Sequence, residues 1–381
     1  MSRSGIATGF VCGLLCGGLA VGAIAGDSRD DRSEAAYVGM DLLLDVRGHI
    51  HSHHLSLPEE QALWMGAAEG MMQTLDPYSE FLDPARYTAF KAEAEGRYAG
   101  IGLEVRLRGG RHHIVSVLPG GPAADSGLQQ GDVITHLGEI SVEGWSIDTL
   151  IEEIRGPVGS AVTLTVRRGE KARQLELTRA EIELPAVEVH WPDEDILTLR
   201  LRAFQRGTAE AVTDAVEEAL ESEQPPKAVI LDLRGNPGGL LEEAVAVADV
   251  CLDEGAVVIT RRRGAQPTQR SAKSGGVLSA MPLVVIVDEA SASASEIVAG
   301  ALQDHRRAVV MGKKTFGKGT VQSIYPVGEA SAAKITVARY LTPNGRPIDG
   351  VGVTPDVEVP ASGDAIKVAV EHLRQRRGGK G

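Results

Sequence analysis

Aromatic residues are scarce in this chain, 4% of 381, so nucleobases would find few rings to stack on. A basic excess is missing too. The 39 Lys and Arg against 52 Asp and Glu leave a formal net charge of −13. Phosphate backbones are held by basic faces, and nucleic acid is excluded as a partner. Cysteine is nearly absent. Cys12 and Cys16 fall in an apolar N-terminal stretch, which leaves Cys251 alone beyond it, and one cysteine builds no disulfide framework. Cys251 closes AVAVADVC and reads as a buried core thiol rather than a nucleophile. The glycine-rich loop at 235–239 matches neither GxxxxGK[ST] nor GxGxxG, so nucleotide binding lacks support. His49, His51, His53 and His54 have no carboxylate or cysteine ligands at defined spacing and are expected on a solvated loop. No metal and no cofactor is expected.

What is present begins with length. The chain can hold two or three domains with cores of their own, and its 43% hydrophobic and 24% charged residues are ordinary for a globular protein. Residues 5–25, GIATGFVCGLLCGGLAVGAIA, are apolar, follow Arg3 and end in Ala23-Ile24-Ala25 ahead of a polar stretch. They read as a signal peptide cleaved near residue 25 or as a retained membrane anchor. Either reading makes the protein exported, periplasmic or otherwise extracytoplasmic.

Residues 33–95 carry apolar side chains at three- and four-residue spacing, so a helical N-terminal region is expected, with Asp83 capping a helix that has Pro84 at its first position. Residues 97–182 alternate short strands, Gly-Pro turns and one amphipathic helix over 146–155, the pattern of a small barrel with a groove. From 185 to 360 strand and helix patterns alternate, and KAVILDLRG and MPLVVIVDEA are apolar enough for a buried sheet. Residues 361–381 are expected to form a short helix and a solvated basic tail. The fold class is α/β, multidomain.

Two segments carry chemistry. In SASASEIVAGALQD, 291–304, a strand gives way to a helix, a junction at which a serine oxygen is exposed and the next amide is free to stabilise an oxyanion. The same residues fit a helix cap, since Ser293-Ala294-Ser295-Glu296 is a capping box. In KTFGKGTVQ, 314–322, Lys318 sits between glycines beside Phe316, with Gln322 four residues on. Burial disfavours an ammonium and would make Lys318 a base for a hydroxyl, while Lys313 and Lys314 read as solvated. LDLRGNPGGLL, 231–241, adds a loop whose backbone amides suit an oxyanion.

These motifs, in this order, resemble the carboxyl-terminal processing (tail-specific) serine peptidases: LDPYSEFLDP, then a segment that looks like a PDZ domain (GIGL and PGGPAADSGLQQGDVI), then LRGNPGG, SASAS, TFGKG and YLTPNGRPIDGVGVTPDV. The resemblance covers roughly residues 35–360. It implies a crotonase-like ββα peptidase core, Ser293 as nucleophile, Lys318 as general base and Gln322 as its orienter. The oxyanion hole would come from the amide of Ala294 and a glycine amide in 235–239, taken as Gly238. A polypeptide C-terminus would add as a strand to the PDZ unit at Gly100, Ile101, Gly102 and Leu103. The resemblance leaves a homo-oligomer open. One departure is Tyr78 in Asp76-Pro77-Tyr78-Ser79, where histidine is commoner; no catalytic consequence is expected.

Rival readings are a Ser–His–Asp triad using Asp304-His305, a catalytically dead PDZ scaffold and a crotonase-like acyl-CoA enzyme. The triad fails on distance, because His305 ends the helix Ser293 begins, roughly 15 Å away. The scaffold would lack the serine or the lysine, and both are present. The PDZ-like unit and export signal count against the acyl-CoA enzyme.

Overall fold

The computed structural model describes residues 29–360 and 363–378; the signal or anchor segment 5–25 lies outside them. The chain divides after Ala68 into two units. In the first, a helix runs Arg29–His53 and a second begins at Glu60. The helix continues through His49, His51 and His53, so these are not on a loop: no proline interrupts the chain before Pro58, and the glycines Gly39 and Gly48 are tolerated singly. His51 pairs with Glu60 at 2.9 Å, and Leu43, Val46, Ile50, Leu63, Trp64 and Ala67 line one cavity. Among the described residues no helix is long and apolar enough to cross a membrane.

The second unit starts at Glu69. Asp83 caps the helix Pro84–Ala94 by accepting from Arg86 N at 2.8 Å, with proline at the first position. Strands Leu103–Arg108, Arg111–Val117, Val133–Leu137, Ile140–Ser141, Ala161–Arg168 and Lys171–Thr178 then form one six-stranded sheet. Its alternating apolar residues, Ile114, Ile134, Leu164 and Val166 among them, pack with Leu150 and Ile154 of the helix Ile147–Ile154. Ser146 starts that helix by accepting from Thr149 N at 3.0 Å. Arg97–Gly100 pairs with Ala180–Glu183 where the chain enters and leaves this module.

The remaining chain is built on a six-stranded sheet ordered Val187–Asp193, Ile196–Leu201, Ala228–Asp232, Leu283–Val287, Val309–Gly312, Val357–Glu358. All neighbours are parallel except the first pair. Successive strand residues point to opposite faces, and both faces are covered. Leu197, Leu199, Val229, Leu231, Val285 and Val287 pack with helices Thr208–Glu221, Leu241–Cys251 and Ala294–Asp304. Ile196, Ala228, Ile230, Val284 and Ile286 pack with Ala365, Ala369 and Leu373. The expected C-terminal helix is Ala365–Gly378, and one face of it closes the sheet. Regular ββα repetition is also absent. Gly255–Arg262 and Thr268–Ala272 leave the main sheet and join Ser331–Leu341 in a second one. Thr320–Val327 and Glu80–Leu82 pair with Ser331–Leu341 as well, which brings the turn at 76–79 to the strand paired with the one that follows Lys318.

Candidate active site

Strand Leu283–Val287 is buried throughout and delivers the chain to the carboxyl end of the sheet, where α/β sheets place their sites. There Asp288 Oδ1 accepts from the amides of Gly235, Ala290 and Ser291 at 2.9, 3.1 and 3.1 Å. The three serines that follow have different environments. Ser291 Oγ donates to Leu233 O at 2.8 Å and Ser295 Oγ to Asn236 O at 2.9 Å, and both residues are fully buried. Ser293 is half-buried, and among the described residues its hydroxyl donates no hydrogen bond. Its backbone, at φ 54° and ψ −110°, lies outside the extended region of an ordinary N-cap. Such conformations cost about 1–3 kcal/mol and persist where the surroundings enforce them.

The enforcement comes from Glu296. Its Oε2 accepts from Ser293 N at 2.7 Å, while Glu296 N donates to the Ser293 carbonyl at 2.9 Å. Ser293 and Glu296 thus close a capping box at the helix start. The same Oε2 accepts from Lys318 N at 2.9 Å; Oε1 accepts from Thr315 Oγ1 at 2.6 Å and Gly317 N at 2.7 Å. One fully buried carboxylate thus ties the serine junction to the lysine turn. Burial pushes its pKa up, against the hydrogen bonds from Thr315, Ser293, Gly317 and Lys318. The turn is tight: a Cβ on Gly319 would lie 2.1 Å from Asp349 N.

Lys318 is half-buried. Burial, then the charge of Lys334, pushes its pKa below the ordinary lysine value, and Glu80 opposes them. Phe316, expected to wall the amine, is 60% exposed; the ring at Lys318 is Tyr78, whose centroid is 5.0 Å from Nζ. Lys313 pairs with Glu289 at 2.5 Å. Gln322 Nε2 donates to Thr320 Oγ1 at 2.9 Å and Thr336 Oγ1 at 3.2 Å, so its Oε1 is the end left to accept. Thr336 Oγ1 in turn donates to Asp76 Oδ1 at 3.0 Å. Among the described residues, no hydrogen bond joins Lys318 Nζ to Ser293 or Gln322.

Asn236 locks the glycine loop against the serine junction. Its Nδ2 donates to Leu201 O at 3.0 Å, and its carbonyl accepts from Ala292 N at 3.0 Å and from Ser295 Oγ. Gly238 touches Ser293, since a Cβ added there would lie 2.8 Å from Ser293 Cβ and 3.0 Å from Ala294 N. Its φ of 106° also requires glycine. The Gly238 amide donates to Asn236 Oδ1 at 2.9 Å. Gly238 O and Leu240 N bond to Phe204, and among the described residues neither the intervening Gly239 amide nor that of Ala294 has a hydrogen-bond partner.

In the six-stranded sheet formed within residues 103–178, Leu103–Arg108 is an edge strand. Gly100, Ile101, Gly102 and Leu103, with Leu118, Ile151 and Ile154, line a groove of about 200 Å³. Ile101 is buried in the module's core, so it offers the groove its backbone. Arg202, at the end of a main-sheet strand, pairs with Glu104 at 2.9 Å and Glu188 at 2.5 Å on the groove's border. His305 is engaged elsewhere, its Nε2 2.6 Å from Ala256 O, and Asp304 pairs with Arg346; no triad forms with Ser293. Among the described residues no cluster could hold a metal ion.

Comparison with known proteins bears on this arrangement. Residues 195–359 match the model of peptidase family S41, and residues 113–168 match that of the PDZ domain. A carboxy-terminal-processing protease of Bartonella bacilliformis is 37% identical over 321 residues, 83% of this chain and 74% of that protein. The chain belongs to peptidase family S41. A probable CtpA-like serine protease of Staphylococcus aureus is 33% identical over 339 residues, 88% of this chain and 67% of the relative. Among solved structures, the photosystem II D1 C-terminal processing protease shares 31% identity at a TM-score of 0.54, covering 83% of this chain and 87% of that one. The architecture is thus an S41 serine-protease core with a PDZ domain and N-terminal helices. Glu296, Asn236 and Asp76 were not singled out in the sequence. The only local signal was the Glu three residues after Ser293, which also fits a plain cap.

Proposed function

We propose that this S41 peptidase is an exported serine endopeptidase that captures polypeptide C-termini on its PDZ domain and cleaves near them with Ser293 and Lys318. The observation that carries the reading is Ser293 itself: alone of the three serines its hydroxyl donates no hydrogen bond, and the carboxylate holding its strained backbone also holds the Lys318 turn. Neutral Lys318 Nζ takes the Ser293 proton as Oγ attacks the scissile carbonyl. The Ala294 and Gly239 amides face the developing oxyanion. The lysine ammonium then protonates the leaving amine, an ester remains on Ser293, and a water activated by Lys318 hydrolyses it. Gln322, its amide nitrogen fixed by Thr320 and Thr336, presents Oε1 to the amine.

The groove at Gly100–Leu103 supports tail capture, because an edge strand facing a helix can accept a peptide as an added strand. Export rests on residues 5–25, a cleaved signal or an anchor. A peptide-release assay on casein and on a tail-tagged protein tests the chemistry. Ser293→Ala and Lys318→Ala are expected to lose activity by at least about a thousandfold with melting temperatures close to wild type. Full activity in either variant would overturn the dyad.

A further inference from the structure

Lys318 has an aromatic contact that the catalytic steps above do not use. Its Nζ lies over the half-buried Tyr78 ring, 5.0 Å from the centroid, within the range at which a ring face attracts an ammonium. The ring is held there deliberately by its turn. Asp76 Oδ1 accepts from Tyr78 N at 2.9 Å and Ser79 N at 3.1 Å, and Oδ2 accepts from Ser79 Oγ at 2.7 Å. Ser79 Oγ then accepts from Thr336 N at 3.0 Å, and Thr336 Oγ1 donates to Asp76. Burial works against ionisation of Asp76, yet these hydrogen bonds keep its carboxyl below the usual range, so the turn stays pinned to the strand beside Gln322. The charged groups facing the amine are Lys334 on that strand and Glu80 on the short strand after the turn, themselves paired at 2.8 Å. On the helix side, Glu296 reaches only the Lys318 backbone.

We propose that Tyr78 is a positioning residue for Lys318: its ring face holds the protonated amine at the wall formed by residues 76–79 and releases it when the amine becomes neutral. A cation–π contact exists only for the charged form, so the ring stabilises the ammonium against burial and Lys334. Loss of the proton ends the attraction and frees the amine for Ser293. The inference rests on the proposed role of Lys318 as base.

The test follows the amine directly. In the Ser293→Ala background, the Lys318 side chain is titrated by NMR in wild-type Tyr78, Tyr78→Phe and Tyr78→Leu proteins, with activity profiles recorded in the Ser293 forms. Tyr78→Phe is expected to keep both the titration midpoint and the acid limb of kcat/KM. Tyr78→Leu is expected to move both to lower pH, with about three- to tenfold more neutral amine at any pH below the midpoint, the factor for a partly desolvated ring contact. Trifluorophenylalanine at position 78 keeps the shape while weakening the ring face, and is expected to shift in the same direction if Tyr78→Leu does not fold. An unchanged midpoint in Tyr78→Leu or the trifluoro variant overturns the inference, as does a shift in Tyr78→Phe equal to theirs. Failure here with Ser293→Ala and Lys318→Ala still inactive sinks only the role of Tyr78, whereas full activity of those variants sinks the dyad itself.

Discussion

Ser291, Ser293 and Ser295 share one junction, and what separates them is where their oxygens go. The buried pair bond to Leu233 O and Asn236 O and fasten the two loops of the site together. Ser291→Ala or Ser295→Ala removes one of two donors from a backbone oxygen, which keeps Asn236 N or Ala292 N, at about 0.5–1.5 kcal/mol; thermal or urea unfolding is expected to show that loss, while a measurable fraction of peptidase activity survives. Ser293→Ala is expected to do the reverse, removing activity and leaving stability nearly unchanged. A second residue-scale expectation concerns pH. Lys318 must be neutral to act as base, and burial with the charge of Lys334 lowers its pKa, so activity rises with pH at values where an ordinary lysine is still charged. Lys334→Met removes a like charge and also frees Glu80 Oε1 beside the amine, leaving Glu80 paired with Arg86 alone. Both changes favour the ammonium, so the acid limb of kcat/KM is expected to move to higher pH; a limb that stays in place or moves lower contradicts this electrostatic account.

Among the elements, the central strands and the helix that starts after Ser293 were legible in the sequence because their cause is local. AVILD and LVVIV are buried on both faces, and a strand covered on both sides shows as an unbroken apolar run. The Asp83-Pro84 helix start was legible for the same reason, since cap and first turn are neighbours in the chain. What escaped the sequence depends on partners far along it. Glu296 reaches Thr315, Gly317 and Lys318, and Asp76 reaches Thr336; neither pattern has a period or spacing to betray it. That the C-terminal helix closes the sheet was not legible, because its Arg and Lys content outweighs the few apolar residues on its packed face. Glu296→Gln tests the junction between helix and lysine turn. An amide offers one accepting oxygen where four donors converge, so at least one pair of donors faces an NH2 group. The expected result is a stability loss of about 2 kcal/mol together with a fall in kcat, since both the Ser293 backbone and the Lys318 turn lose their shared anchor. Wild-type kcat in this variant would show that the two segments keep their places without it.

At the scale of the whole molecule, the proposed chemistry and the proposed recognition are on separate sheets, and this separation makes them separable by experiment. The groove is formed by an edge strand and the helix Ile147–Ile154, with Ile151 partly exposed on its wall. Ile151→Asp puts a charge where an apolar tail residue would pack, yet leaves the buried Leu150 and Ile154 in place, so the PDZ core is expected to survive. If tail capture delivers the substrate, KM for a protein with an apolar C-terminal tag rises about tenfold or more, the cost of a lost apolar contact plus a desolvated carboxylate. The kcat for a short peptide that spans only the cleavage site stays near wild type, because Ser293, Glu296 and Lys318 are untouched. Equal losses on both substrates would mean that the groove acts on the peptidase core itself. The ion pairs of Arg202 with Glu104 and Glu188 are the contact through which such coupling would run. Arg202→Met in the same assay separates the alternatives: under simple delivery it leaves the short-peptide kcat unchanged, and under coupling it reproduces the loss seen in Ile151→Asp.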